Sequence, residues 1–276
     1  MNPQRTALIT GPTSGIGRIT ALSLAQKGYE LILLARDLQK ATSLQKELAE
    51  YGQAYIVQAD LADLNSVQKA AEQIKKDFTK LDVLVNNAGL IADTYEQSAQ
   101  GYELTFAVNH LGHFLLTTAL VDLLKAGESA RIVHVSSEAH RIGNFKIADL
   151  PRPSNYKGWI AYGNSKLANI LFSNELARRL APEGITSNAL HPGAVATNFA
   201  GNTGGFTRWM MRMAKPFFIT EKEGAQTSIY LATSPEVAGK TGGYFAKSKP
   251  KSPNRDAQSS YLAAELWKLS EALIKG

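Results

Sequence analysis

The chain contains no cysteine among its 276 residues. This absence excludes disulfide bonds, thiolate metal sites and cysteine nucleophiles, and it is compatible with a reducing cytosol. The sequence also lacks an apolar stretch of signal-peptide form and any run of transmembrane length. We therefore expect a soluble cytoplasmic protein without an integral membrane segment.

Histidine is scarce, and its positions do not form a metal-ligand pattern. The five histidines are His110, His113, His134, His140 and His191. His110 and His113 could share one face of a helix, but no acidic or histidine neighbour suggests a third ligand. We expect structural or surface roles for all five, and we predict no metal.

The charge of the chain gives little information about partners. The formal net charge is +6, but no basic run is interleaved with aromatic residues, so we predict no nucleic-acid binding. Lysines that solvate surface loops explain this charge, although a positive field also suits an anionic cofactor.

Short β-rich apolar runs alternate with longer helical patterns along the chain. The predicted strands are 5–10, 30–35, 54–59, 82–86, 131–136 and 185–191, and the predicted helices are 15–27, 38–51, 63–78, 102–125 and 161–180. Such alternation specifies βαβ crossovers and a parallel sheet that helices cover on both faces. We predict an α/β doubly wound (Rossmann) parallel sheet in a single domain, residues 1–276.

Two irregular segments, at about 138–158 and 198–220, follow predicted strands. We expect them to act as lid segments over the carboxyl edge of the sheet, where ligands bind. The second segment is rich in methionine and aromatic side chains, which form an adaptable apolar surface; they are Met210, Met211, Met213, Phe206, Trp209, Phe217 and Phe218. We predict a pocket for a lipophilic substrate. Packing of the lid on its own core, or a peripheral membrane contact through nearby basic residues, are alternatives.

A glycine-rich turn, Thr10-Gly11-Pro12-Thr13-Ser14-Gly15-Ile16-Gly17, joins the first predicted strand to the first helix. Small residues let the backbone approach a pyrophosphate, and the helix N-terminus offers free N–H groups and its positive dipole end. The predicted dinucleotide contacts in this turn are Gly11, Thr13, Ser14, Gly15, Ile16 and Gly17.

The end of the second predicted strand distinguishes NADP from NAD. An acidic residue there would bond the ribose 2′-hydroxyl of NAD, whereas an arginine accommodates a 2′-phosphate. This chain has Ala35 where the acid is expected, and then Arg36, whose guanidinium can grip a phosphate. Asp37 would be the acid if the strand end were displaced by one residue. We predict NADP(H), with Arg36 as a cofactor ligand.

Two further strand ends are candidates for cofactor contact. Asp60-Leu61 ends the third strand and could bond the adenine edge. Small residues after the fourth strand again allow a close approach to the cofactor, and the candidates there are Asn87, Ala88 and Gly89.

Tyr162 and Lys166 are four residues apart, so on a helix they project from one face. A free tyrosine has a pKa of about 10, and a nearby ammonium and the positive nicotinamide ring would lower that pKa. The fifth strand ends in Ser136-Ser137, which places a hydroxyl at the same edge to steady a developing oxyanion. Asn109 lies on the helix before that strand.

These motifs resemble the short-chain dehydrogenase/reductase family over essentially the whole chain. The resemblance also includes the runs Tyr162-Gly163-Asn164-Ser165-Lys166 and His191-Pro192-Gly193-Ala194-Val195-Ala196-Thr197. It implies that Tyr162 is the general acid/base, that Lys166 also bonds the nicotinamide ribose, and that Asn109 holds a relay water. It further implies that the nicotinamide carboxamide is contacted by Pro192, Val195 and Thr197.

Several runs are similar to the retinol-dehydrogenase-like branch: Leu33 to Asp37, Val108 to Phe114, Val135 to His140, Ser165 to Asn169 and Glu223 to Thr227. Ser137 precedes Tyr162 by 25 residues, a longer spacing than in many family members and one that this branch has. By that alignment Ser137 is the catalytic serine, with Ser136 as the alternative.

The resemblance implies a hydride transfer between nicotinamide and the carbonyl or alcohol carbon of a lipophilic aldehyde, ketone or retinoid-like substrate. A light-dependent protochlorophyllide reductase is one alternative, although such enzymes typically have a cysteine beside the fourth strand. A dinucleotide-sensing regulator is another, although such proteins usually have lost the tyrosine or the lysine. The predicted helices 102–125 and 161–180 either form a homo-oligomer interface or simply flank the sheet.

Overall fold

The structure is a computed structural model that describes residues 4–143, 145–194 and 219–275. The strands are β1 Arg5–Thr10, β2 Tyr29–Ala35, β3 Ala54–Gln58, β4 Val83–Asn86, β5 Arg131–Val135, β6 Thr186–His191, β7 Tyr244–Ala246 and β8 Lys249–Pro250. The α-helices are α1 Gly15–Gln26, α2 Leu38–Leu48, α3 Leu64–Asp77, α4 Leu104–Phe106, α5 Gly112–Ala119, α6 Val121–Lys125, α7 Gly158–Leu180, α8 Glu221–Thr233 and α9 Ser260–Ile274. Val195, Thr197 and the second predicted lid segment as far as residue 218 lie outside the described residues.

The strands form one sheet in the order β3-β2-β1-β4-β5-β6-β7-β8. Neighbouring strands run parallel except for β8, which pairs antiparallel with β7 at one edge. The strand order changes direction on the two sides of β1, which opens a crevice at the carboxyl ends of β1 and β4. The predicted α/β doubly wound parallel sheet in a single domain is therefore confirmed.

Two hydrophobic layers cover the two faces of the sheet, because successive side chains of a strand point in opposite directions. Leu8 of β1 and Ile32 of β2 face the layer that includes α3, α5, α7 and α9. Ile9 and Leu33, one residue further along, face the layer that includes α1, α2 and α8. All four side chains are fully buried, which fixes the register of the central strands.

The helix predicted over 102–125 is not continuous in the structure. It consists of α4, a π-helix Ala107–Leu111, α5 and α6. The Gly112 N–H bonds to the carbonyl of Ala107, five residues back, so the turn that carries Asn109 is wider than an α-helical turn. A one-residue insertion of this kind leaves the apolar pattern helical, which is why the sequence predicts an uninterrupted helix.

The C-terminal helix α9 covers the outer face of α7 and of the π-helix. Its Trp267 ring lies 4.9 Å from the ring of Phe114 and 5.9 Å from that of Phe172, measured between centroids. The Arg179 guanidinium of α7 stacks 4.0 Å from the Trp267 ring centroid. The two long helices whose role the sequence leaves open thus flank the sheet, and on this face they pack against the chain's own C-terminal helix.

The sequence pattern predicts neither β7 nor β8. These strands have three and two residues, which is too short for an alternating apolar pattern. Within the residues that the structure describes, no helix is both long enough and apolar enough to cross a membrane.

Candidate active site

The carboxyl ends of β1, β4, β5 and β6 lie side by side, because these strands are consecutive neighbours in the sheet. The turns that follow them carry most of the residues predicted to act on ligands. The sheet thus brings the glycine-rich turn, the Asn87 segment, the serine pair and Pro192 to one edge, where open α/β sheets bind their ligands.

The glycine-rich turn fits the pyrophosphate of a dinucleotide. Gly11 and Gly15 have φ angles of +62° and +56°, which favour glycine, and a Cβ atom on Gly17 would lie 2.3 Å from the Gly11 carbonyl oxygen. The predicted contacts Thr13, Ser14 and Ile16 stand at the start of α1 and are at least partly exposed. Ser14 makes no capping bond through its side chain, and the first turn of α1 has no acidic residue. The first N–H groups of α1 are therefore free to bind an anion.

The segment after β4 braces the glycine-rich turn. The Asn87 Nδ2 donates to the carbonyl oxygens of Thr10 and Gly11, at 2.9 and 3.2 Å. The main-chain N–H groups of Asn87 and Ala88 both donate to Thr10 Oγ1 at 2.9 Å. Gly89 follows, and a Cβ there would lie 3.2 Å from Asn109 Oδ1 and 3.3 Å from Lys166 Nζ. The two predicted cofactor segments therefore form one hydrogen-bonded unit.

At the end of β2 the Arg36 side chain is exposed to solvent, whereas the Asp37 carboxylate is used in a helix cap. The Arg36 side chain is 75% exposed, and its Nη1 lies 3.7 Å from Asp60 Oδ2. Asp37 is the N-cap of α2, where its Oδ1 accepts from the Lys40 N–H at 3.1 Å. Since β2 ends at Ala35, Asp37 is not the acid at the strand end. Leu61, by contrast, has a buried side chain that packs in the core.

Lys166 is a buried cation on α7 with a main-chain partner. Its side chain is 2% exposed, and its Nζ donates to the carbonyl oxygen of Val135 at 3.0 Å. Burial lowers the pKa of Lys166 to about 8. Ser136 Oγ donates to the main-chain oxygen of Lys166 at 2.7 Å, so the end of β5 holds this residue at both its backbone and its head group.

Tyr162 lies one turn before Lys166, as the spacing predicts. Burial raises the pKa of its phenol to about 12, and a hydrogen bond with the Ser137 side chain acts in the opposite direction. The lowering of this pKa that the sequence predicts requires the nicotinamide ring as well as Lys166, so it concerns the complex with the cofactor. The Lys166 Nζ is 5.5 Å from the centroid of the phenol ring, and desolvation of the phenolate is the larger effect.

The two adjacent serines have different surroundings. Ser136 is 1% exposed, and its hydroxyl donates a hydrogen bond to the main-chain carbonyl of Lys166. Ser137 begins a 3₁₀ turn, where its Oγ accepts from the Ala139 N–H at 3.2 Å and where it also bonds Tyr162. Of the two hydroxyls, that of Ser137 therefore faces the phenol.

Asn109 links the turn after β4 to α7. Its Oδ1 accepts from the Leu90 N–H at 2.8 Å, while its Nδ2 donates to the Leu90 carbonyl and to Ser165 Oγ, both at 2.9 Å. Ser165 Oγ in turn donates to the carbonyl oxygen of Tyr162 at 2.8 Å. Both protons of the Asn109 amide are thus used to position the helix that carries the tyrosine.

The residues that fix the turn after Ser137 are not predictable from the sequence pattern. The Glu138 N–H donates to His191 Nδ1 at 3.3 Å, which ties the end of β5 to the end of β6. His140 Nδ1 donates to the Ser137 carbonyl at 2.7 Å, and its Nε2 accepts from the Asn254 N–H at 3.2 Å. Asn254 is 114 residues away in sequence. The run Val135 to His140 was the only sequence signal, and it indicated a branch rather than these contacts.

The Glu138 carboxylate is a further anchor of this turn. It accepts hydrogen bonds from Arg141 at 2.9 Å, Lys251 at 3.0 Å and Tyr244 at 2.9 Å. Burial alone would raise the pKa of Glu138, but the bonds from Lys251, Arg141 and Tyr244 lower it to about 2. The described residues contain no group of three or more His, Asp or Glu side chains that could hold a metal ion.

Comparisons with known proteins agree with this geometry. The family profile described as short chain dehydrogenase matches residues 5–205. Retinol dehydrogenase 14 of Mus musculus is 40% identical, over 98% of this chain and 86% of the relative. The crystal structure of an uncharacterized protein from Mycobacterium paratuberculosis has a TM-score of 0.81 and 35% identity, over 99% of this chain and 94% of that one. The RhlG/NADP active-site complex of Pseudomonas aeruginosa has a TM-score of 0.72 and 26% identity, over 88% of this chain and 94% of that one. The chain therefore belongs to the short-chain dehydrogenase/reductase family of nicotinamide-dependent oxidoreductases, in its retinol-dehydrogenase-like branch.

Proposed function

We propose that this chain is an NADP(H)-dependent oxidoreductase that transfers a hydride between nicotinamide and a carbonyl or alcohol carbon. The observation that carries the proposal is the position of the Tyr162 phenol, whose ring centroid lies 5.5 Å from the buried Lys166 ammonium at the edge of the sheet where Ser137 follows β5. A proton donor, an oxygen-binding hydroxyl and a fixed positive charge thus meet at the sheet edge that holds the dinucleotide turn.

The side chains have complementary tasks in the direction of reduction. A nicotinamide bound at this edge would supply the hydride for the carbonyl carbon of the substrate. Ser137 Oγ donates a hydrogen bond to the substrate oxygen, and Tyr162 gives that oxygen its phenolic proton. The Lys166 ammonium stabilises the phenolate that remains. Oxidation of an alcohol uses the same proton path in reverse, with the phenolate accepting the hydroxyl proton.

The Lys166 ammonium also has N–H donors that can bond the cofactor. An ammonium group carries three N–H donors, of which the Val135 carbonyl takes one. Within the residues that the structure describes, the other two have no acceptor and can bond the nicotinamide ribose, the role that the family resemblance implies. Both protons of the Asn109 amide are used by Leu90 and Ser165, so the relay water that the family resemblance implies would donate to an oxygen of Asn109.

The preference for NADP rests on the end of β2. Ala35 supplies no acid for a ribose 2′-hydroxyl, and the Asp37 carboxylate is used to cap α2. The guanidinium of Arg36 is exposed and only loosely paired, so a 2′-phosphate can approach it without breaking a buried ion pair. RhlG, a protein of similar structure, forms a complex with NADP, which supports the same preference.

The proposed substrates are lipophilic aldehydes, ketones, alcohols or retinoid-like molecules. The similarity to retinol dehydrogenase 14 and the apolar side chains of residues 206–218 in the sequence support this class. A light-dependent protochlorophyllide reductase has less support, since a retinol dehydrogenase matches nearly the whole chain. A dinucleotide sensor without turnover also has less support, because Ser137, Tyr162 and Lys166 are present together. The cytoplasmic location, a peripheral membrane contact and a homo-oligomer stay predictions.

The first test is NADPH oxidation, followed by absorbance, with a panel of aldehydes and ketones that includes all-trans-retinal. Tyr162→Phe removes the proton donor, and we expect its turnover to fall about 10²- to 10⁴-fold while NADPH still binds. Long apolar aldehydes should give a higher kcat/KM than short ones. No turnover by the wild-type protein across the panel, despite tight NADPH binding, would favour the sensor instead.

The second test concerns the cofactor. Arg36→Ala should raise the KM for NADPH about tenfold, because a charge-assisted contact with the 2′-phosphate is lost, and should leave the KM for NADH unchanged. Lys40→Ala is the matched control, since this nearby cation pairs with Asp37 at 3.4 Å. Comparable kcat/KM values of the wild-type protein with NADH and NADPH would refute the proposed preference.

The third test separates the two serines. Ser137→Ala should lower kcat by about 10²-fold, because the donor to the substrate oxygen is lost. Ser136→Ala should instead destabilise the protein by about 1 kcal/mol, because it removes a buried hydrogen bond to Lys166. Steady-state kinetics and urea unfolding of both variants distinguish these effects. Equal losses of kcat in the two variants would contradict the assignment of Ser137.

A further inference from the structure

His113 lies where three segments of the site meet, and no step of the proposed mechanism uses it. Its side chain is 1% exposed. Its Nδ1 lies 3.0 Å from the main-chain oxygen of Asn109, and its Nε2 lies 2.9 Å from Thr10 Oγ1. The imidazole therefore spans the distance between the π-helix and the end of β1.

The two contacts determine which nitrogen of His113 carries the proton. A carbonyl oxygen can only accept, so Nδ1 must donate to Asn109. Burial lowers the pKa of His113 to about 4, so the ring is neutral at physiological pH and has one N–H group. Its Nε2 is consequently an acceptor, and the hydroxyl of Thr10 must be the donor.

His113 Nε2 is the nearer of the two acceptors available to the Thr10 hydroxyl. A threonine hydroxyl has one donor and two acceptor lone pairs. The N–H groups of Asn87 and Ala88 occupy both lone pairs at 2.9 Å. The alternative acceptor for the proton is the Val85 carbonyl, at 3.4 Å against 2.9 Å for His113 Nε2. When the Thr10 hydroxyl donates to His113 Nε2, its two lone pairs point toward the segment after β4.

We propose that His113 is a positioning residue for the dinucleotide: through Thr10 it aligns the glycine-rich turn with the Asn87-Ala88 segment, while its bond to the Asn109 carbonyl keeps the proton of the ring on Nδ1. The glycine-rich turn and the Asn87-Ala88 segment are packed closely, because a Cβ on Gly11 would lie only 3.0 Å from the Cβ of Ala88. A small shift of either segment would misplace the backbone that meets the pyrophosphate. The inference rests on dinucleotide binding in the proposed function, and it depends neither on the 2′-phosphate nor on the substrate.

His110 is the matched control on the same helical segment. It is fully buried, and its Nε2 lies 2.8 Å from Ser270 Oγ, whose own proton goes to the Leu266 carbonyl. Nε2 is therefore the protonated nitrogen of His110, the opposite of His113. His110 contacts α9 rather than the cofactor turn, so its replacement should affect stability and not dinucleotide affinity.

A double-mutant cycle on NADPH affinity tests the proposal. The Kd is measured by fluorescence titration for the wild-type protein, Thr10→Val, His113→Phe and the double variant. We expect His113→Phe to raise the Kd about tenfold, and the double variant to bind within about twofold of Thr10→Val, because His113 acts through Thr10. His110→Phe should leave the Kd unchanged.

Two polar variants identify the contact that matters. His113→Gln places an acceptor near the position of Nε2 and should bind NADPH within about threefold of wild type. His113→Asn can donate only to Asn109 and should bind about as weakly as His113→Phe. In the wild-type protein, long-range ¹H–¹⁵N spectra should show His113 protonated at Nδ1 and His110 at Nε2.

Three results would each overturn the proposal. The first is that the two substitutions raise the Kd for NADPH by independent factors, so that the double variant shows their product. The others are an unchanged Kd for folded His113→Phe and a His113 that is protonated at Nε2. If His113→Phe does not fold, the Gln and Asn pair and the spectra of the wild-type protein decide the matter. Comparable wild-type Kd values for NADPH and NADH would contradict only the role of Arg36. Absence of binding of either dinucleotide to the folded wild-type protein would contradict both this proposal and the proposed function.

Discussion

The buried ammonium of Lys166 is the constraint on which the rest of the site depends. A charge in the protein interior needs a close polar partner, and the carbonyl of Val135 at the end of β5 provides it. That contact fixes α7 against the sheet, with Tyr162 one turn away on the same face. The neighbouring Ser136 secures the lysine backbone and leaves Ser137 to face the phenol. The geometry of the proposed catalytic groups thus depends on how one buried cation is accommodated.

The same edge of the sheet is held together by short polar contacts between strand ends. Thr10 joins β1 to the segment after β4, and Asn109 joins that segment to α7. The Glu138 N–H and His191 join the ends of β5 and β6. Each contact joins two different elements or turns through a polar group. The groups that complete the sheet edge therefore also set the positions of the ligand-binding turns.

The sequence predicted the parallel sheet and the site segments because both are encoded locally. Apolar runs and a glycine-rich turn are visible over a few residues, as is the spacing of Tyr162 and Lys166. The π-helix was missed because it keeps a helical apolar pattern. The Asn254 contact to His140 was missed because its partners are 114 residues apart. Burial raises the pKa of Tyr162 in the protein alone, an effect that spacing in the sequence does not reveal, and the lowering expected with nicotinamide bound stays a prediction.

In the proposed mechanism, Tyr162 gives and takes the proton that accompanies hydride transfer. The most direct test is the pH dependence of kcat/KM in both directions with one carbonyl–alcohol pair. Reduction needs the phenol, so its kcat/KM should be constant at low pH and fall above the pKa of Tyr162. Oxidation needs the phenolate, so its kcat/KM should rise with pH and level off above a lower pKa of Tyr162, because the positive ring of the oxidised nicotinamide stabilises the phenolate. Parallel pH profiles in the two directions would contradict the account.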